Sequence, residues 1–133
     1  MTRFVIDADT ALELATRRAK ISAQHHLLAP TLLRSQVLSS LYAAVRRGDF
    51  DQREANLRLD YLRGLKLRLL GDRSLQRLAW KIADQCGWPD TFNAEYIALT
   101  QLQADAFVTA DATLAKAVTG LVSLASIEAV LAD

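Results

Sequence analysis

Short apolar runs alternate with longer amphipathic stretches along this whole chain, and two of the runs end abruptly in an acid. This alternation constrains the fold more than any other feature. Residues 3–8, 27–29, 65–70, 106–109 and 121–124 read as strands, since short apolar runs bounded by turn signals suit buried strands. Helical patterns fill residues 10–19, 31–47, 51–62, 74–85, 91–102, 112–118 and 126–131. The clearest, 31–47, follows Pro30, places Leu33, Val37, Leu41 and Val45 at every fourth position, and stops at Gly48. In 51–62, Leu57 and Leu62 are expected to face inward. In 74–85, Leu75, Leu78, Ala79 and Ile82 share one stripe. Such alternation predicts one α/β domain over residues 1–133, a three-layer α/β/α sandwich with a mainly parallel sheet of about five short strands.

The 133 residues suffice for one sizeable core, and an apolar content of 51% excludes a disordered chain. No apolar run approaches the roughly 20 residues of a membrane span. No basic region followed by an apolar stretch opens the chain, so a secretory signal is not expected. The single cysteine, Cys86, can form no internal disulfide and has no second thiol for a zinc site. A cytoplasmic protein is therefore expected. Its net charge is only +1, but Arg46 to Lys81 holds ten Lys and Arg against five Asp and Glu. An acidic centre beside a basic segment suits a polyanion held over metal. The same arginines would equally form solvated helix faces.

The opening run, "FVIDADTALEL", delivers Asp7 and Asp9 to a strand end, and "AFVTAD" repeats the pattern with Asp111. A carboxylate close to a core needs a partner, a hydrogen bond or a metal. Ligands of open α/β sheets bind at the carboxyl ends of the strands. Asp9 or Thr10 reads as the cap of the following helix, whereas Asp7 sits too close to the apolar run for that role. Asp7 and Asp111 on neighbouring strands could converge on Mg²⁺ or Mn²⁺, which take oxygen ligands. Gln36, at the edge of its helix's apolar stripe, and Asn93, in a first helical turn that Thr91 would cap, could add to the pocket. Each is also an ordinary hydrogen-bonding residue. Glu95 reads as a solvated face residue. Other motifs fail. "DADTA" has Ala11 where an aspartyl phosphatase needs Thr or Val, His25-His26 lacks a third ligand, and no Gly-rich phosphate loop is present.

Taken together, "FVIDADTALEL", "LLAPTLLRSQVLSSLY", "GWPDTFNAEYIALT" and "AFVTADATLAKA" stand in the order and spacing of a PIN domain. The chain most resembles the VapC-type toxins of bacterial VapBC toxin–antitoxin pairs, over essentially its whole length. The resemblance implies an α/β/α sandwich and a Mg²⁺- or Mn²⁺-dependent endoribonuclease. It also implies a homodimer, and an antitoxin of the VapB type that points a basic side chain at the acids. The family's four acids fall on Asp7, Gln36, Asn93 and Asp111.

Two of those four positions are amides here. An amide oxygen can still coordinate but brings no charge, which should weaken metal binding and any general-base role. Asp9, Asp90 and Glu95 lie close enough in sequence to compensate. Ser35 and Thr109 are expected to hydrogen-bond the ligands, and Arg46, Arg47 and Arg73 to follow an RNA backbone. The alternative is a catalytically weakened PIN domain that binds RNA or a protein.

Overall fold

A computed structural model describes residues 1–132. Five strands, β1 (Thr2–Ile6), β2 (His25–Pro30), β3 (Leu67–Leu70), β4 (Ala106–Val108) and β5 (Leu124–Ala125), form one sheet in the order β3-β2-β1-β4-β5. Every pairing is parallel. Six helices flank the sheet in a three-layer α/β/α sandwich: α1 (Ala8–Arg17), α2 (Leu32–Arg47), α3 (Gln52–Gly64), α4 (Arg73–Cys86), α5 (Phe92–Gln103) and α6 (Ala112–Val118). A 3-10 turn, Ile127–Val130, follows β5. Helices α1, α2 and α3 pack on one another, while α4 packs on α5, which lies against β1, β2 and β4. Among the described residues no helix is long and apolar enough to cross a membrane.

The central strands are buried on both faces, as parallel strands between helical layers must be. Val5, Ile6, Phe107 and Val108 are essentially inaccessible, and Ile97 and Leu99 of α5 close over them. The chain runs outward from β1 through β2 to β3, then returns to the other side of β1 as β4. The reversal of strand order therefore falls between β1 and β4. Ligand crevices of open α/β sheets open at such a reversal, outside the carboxyl ends of the strands.

Several boundaries differ from the sequence expectation, each for a local reason. Helix α1 begins at Ala8, and Asp7 itself is its N-cap, accepting a 2.9 Å hydrogen bond from the Thr10 amide. Asp9 and Thr10 lie inside the first turn and cap nothing. Asp111 lies beyond the end of β4 and likewise caps α6. Thr91 occupies the N-cap position of α5 without a side-chain cap bond. Strand β5 starts at Leu124, not 121, because the Leu121 and Val122 amides both bond the Val118 carbonyl and spend those residues on a turn. The expected last helix is only the 3-10 turn. Helix α2 ends where the sequence predicts, at Gly48, whose φ of +84° most side chains would resist.

Leu57 does not face inward. It is 44% exposed, because α3 packs through Ala55 and Leu62, and Leu57 lies about 200° around the helix from Ala55. Leu57→Ala should therefore change stability by less than about 0.5 kcal/mol. Ile97→Ala, emptying a fully buried site, should cost about 2–5 kcal/mol. Urea unfolding of both variants measures this, and a large loss for Leu57→Ala would contradict the packing of α3.

Candidate active site

A cleft of about 320 Å³ opens over the β1–β4 reversal. Asp7, Asp9 and Asp111 line it, with Gln36, Ser39 and Ser40 from α2 and Asn93 and Tyr96 from α5. Asp7 is only 9% exposed. Its two oxygens are held separately: Oδ1 by the Thr10 amide at 2.9 Å, Oδ2 by the Thr109 hydroxyl at 2.5 Å. The Thr109 Oγ1 in turn accepts from the Asp111 amide at 3.1 Å, and Asp111 Oδ1 accepts from the Leu114 amide at 3.0 Å. Thr10 Oγ1 donates to the Val108 carbonyl, stapling α1 to β4. Thr109 thus bridges Asp7 and Asp111.

Burial first, then the charges of Asp7 and Asp111, pushes the Asp9 carboxyl above its ordinary range. The three acids share one field, and among the described residues no Lys or Arg lines the cleft to neutralise it. Among the described residues no three His, Cys, Asp or Glu side chains meet as a metal-ligand set. A Mg²⁺ site needs fewer, since that ion is commonly held through one or two carboxylates with waters completing the octahedron. Asp7 and Asp111 fit that pattern, and Asp9 adds a third carboxylate to the same cleft.

The two amides differ in their freedom. Gln36 Oε1 accepts a 2.5 Å hydrogen bond from the Tyr96 hydroxyl, whereas Asn93 is exposed at the cleft's rim. The Tyr96 hydroxyl is pushed strongly upward by burial, and then by Asp7, Glu95 and Asp9, so it stays a neutral donor. The sequence reading missed Tyr96. Its signal was its spacing, three residues after Asn93 and hence on the same helical face. It also missed Ser39 and Ser40, which follow Gln36 by three and four residues on one face of α2. Ser35, predicted to support the ligands, is exposed and does not line the cleft.

Asp90 is also outside the cleft, its Oδ1 accepting from the Phe92 amide at 3.2 Å. Glu95 is half-buried rather than solvated, with a carboxyl raised by burial, and it too lies outside. Of the predicted RNA-tracking arginines, Arg47 pairs with Asp49 at 2.9 Å and lines a hollow that shares Asp9, Ser39 and Ser40 with the cleft. Arg58, not foreseen, stands in the same hollow, its guanidinium 4.2 Å from the centre of the Phe50 ring. Arg46 and Arg73 are exposed and outside both.

No family model matches this chain, and no curated protein matches it. Solved structures do share its fold. The crystal structure of PAE2754 from Pyrobaculum aerophilum is similar to it with a TM-score of 0.76, over 96% of this chain and 91% of that one. At 21% sequence identity the likeness is one of fold.

The crowding of the acids has a consequence for stability. A carboxyl raised in the folded state favours folding while protonated, and that advantage disappears as pH rises through its folded pKa. Asp9→Asn should therefore raise the melting temperature at neutral pH in chelator. The gain should vanish under acid conditions where Asp9 is protonated in both folded and unfolded chains. Calorimetry across that range checks it, and an equal gain at every pH would contradict the electrostatic cause.

Proposed function

We propose that the chain is a Mg²⁺- or Mn²⁺-dependent endoribonuclease, with Asp7 and Asp111 as the cation's protein ligands. One observation carries this reading: Asp7 and Asp111, joined through Thr109 and with Asp9 beside them, face a cleft that no Lys or Arg among the described residues lines. A bound divalent ion would supply charge stabilisation at a scissile phosphate and a more acidic water. Thr109 fixes the orientation of Asp7 and the backbone of Asp111. Tyr96 keeps Gln36 turned toward the cleft. Asn93, Ser39 and Ser40 offer hydrogen bonds to a substrate's phosphate and ribose oxygens. RNA as the substrate is supported by the PIN-domain resemblance. The same resemblance extends the proposal to a homodimer neutralised by an antitoxin whose basic side chain enters the acidic cleft.

A second reading has its own observation. Gln36 brings no charge, and its oxygen is already engaged by Tyr96, which favours a domain that binds RNA or protein without cutting it. Affinity for Mn²⁺ separates the two.

Purified protein on total RNA should cleave with Mn²⁺ or Mg²⁺ and stop in chelator. Asp7→Asn should abolish cleavage yet stay folded, because Asn caps a helix as well as Asp does. Thr109→Val should cost on the order of 10–100-fold in metal affinity or activity. Gln36→Glu with Asn93→Asp should tighten Mn²⁺ binding and speed cleavage. Cleavage that survives chelator, or survives Asp7→Asn, would refute the metal reading.

A further inference from the structure

The outer face of α4 carries an arrangement that the cleft does not use. The helix buries Leu75, Ala79, Ile82 and Ala83, and its opposite side presents Arg73, Arg77, Trp80 and Lys81 around one shallow hollow. Trp80 is 74% exposed, an unusual setting for the side chain with most apolar area to hide. Residues 73, 77 and 80 fall within about 60° of one another around the helix. None of the three cations has an acidic partner among the described residues, and the three are gathered around one exposed indole. Two acids stand nearby. Asp72 is engaged as the cap of α4, and Asp84 lies on the same face at its far end.

The position matters as much as the composition. Arg73 opens α4 directly after β3, so it lies at the same carboxyl edge of the sheet as Asp7. Two strand spacings, about 10 Å, separate β3 from β1. Trp80 follows about 10 Å further along the helix axis. The patch therefore starts at the edge that carries the acidic cleft and continues down the outside of the molecule.

We propose that this face docks single-stranded RNA, with Trp80 stacked on a base and Arg73, Arg77 and Lys81 against the flanking phosphates. The choice of occupant rests on the ribonuclease reading and on charge. Unpaired cations beside an open aromatic face are what single-stranded nucleic acid requires, and a duplex hides the base faces that an indole would stack on. An apolar protein partner would have to bury three unpaired charges. A lipid interface would call for a broad apolar face, and here one indole stands among polar side chains.

The test is fluorescence anisotropy of a labelled single-stranded RNA oligonucleotide of random sequence, in chelator so that nothing is cut. Trp80→Ala should weaken binding about tenfold, and Trp80→Phe should retain most of it. Arg77→Gln should reduce the slope of log affinity against log salt by about 0.7. Trp80 is exposed, so its replacement leaves the core intact. Unchanged affinity in Trp80→Ala, or no binding by the wild-type chain, overturns the proposal. So does a Trp80 requirement seen only with phosphatidylserine vesicles and not with RNA. Trp80-dependent RNA binding without cleavage in Mn²⁺ would leave this docking site standing and remove the ribonuclease reading. Cleavage with no Trp80 dependence of binding would do the reverse.

Discussion

The hydrogen bond from Thr109 to Asp7 holds together the carboxyl edge of the sheet, where the acidic cleft opens. It spans the reversal between β1 and β4, where two halves of the sheet that are distant in sequence become neighbours. Without it, one oxygen of a nearly buried carboxylate would lack a partner, which costs free energy on the order of 1–3 kcal/mol or more for a charged group. With it, Asp7 has both oxygens fixed and still faces the cleft. The same hydroxyl accepts from the Asp111 amide, so a single threonine sets the spacing of both acids. The parallel ladder supplies the remaining rigidity, pairing Ile6 with Val108 immediately before the site. Rigid strand ends suit a site whose ligands must be in place before anything binds.

The chemistry is shaped by what the cleft does not balance. Asp9 is crowded by Asp7 and Asp111, and among the described residues no lysine or arginine lines the space in front of them. Like charges held together in this way carry a standing repulsion, relieved by a proton, a divalent cation or a basic side chain from another molecule. The amides moderate that repulsion. Gln36 and Asn93 line it with uncharged amides, and the Tyr96 hydroxyl donates to the Gln36 oxygen. The cleft is thus acidic, with three carboxylates and two amides along its wall.

Much of this was legible in the sequence. Apolar runs that stop at an acid located Asp7 and Asp111 at one edge of the sheet, and strand–helix alternation gave the three-layer sandwich. Thr109 could be placed because it lies between a buried strand and its terminal acid. What escaped reading depended on rotation and on double roles. Asp7 serves as a cap and a cleft residue together, which a choice between those roles could not anticipate. Ser35 is adjacent to Gln36 in sequence but about 100° away around the helix, whereas Ser39 and Ser40 return to its face. Tyr96 is buried in the core, and its hydroxyl reaches Gln36 at the cleft. Asp90 stands near Asn93 in sequence, yet its carboxylate turns back to the Phe92 amide. Leu57 and the late start of β5 show the same limit, since composition marks a segment as helix or strand without fixing its rotation or its end.

The central claim is that Asp7 and Asp111 form a binding site for a divalent cation. Anomalous diffraction from crystals soaked in Mn²⁺ tests it most directly. The account predicts one strong peak within bonding distance of both carboxylates, absent in crystals of Asp7→Asn. Manganese found only at surface acids such as Asp60 or Asp84, with none in the cleft, would contradict it.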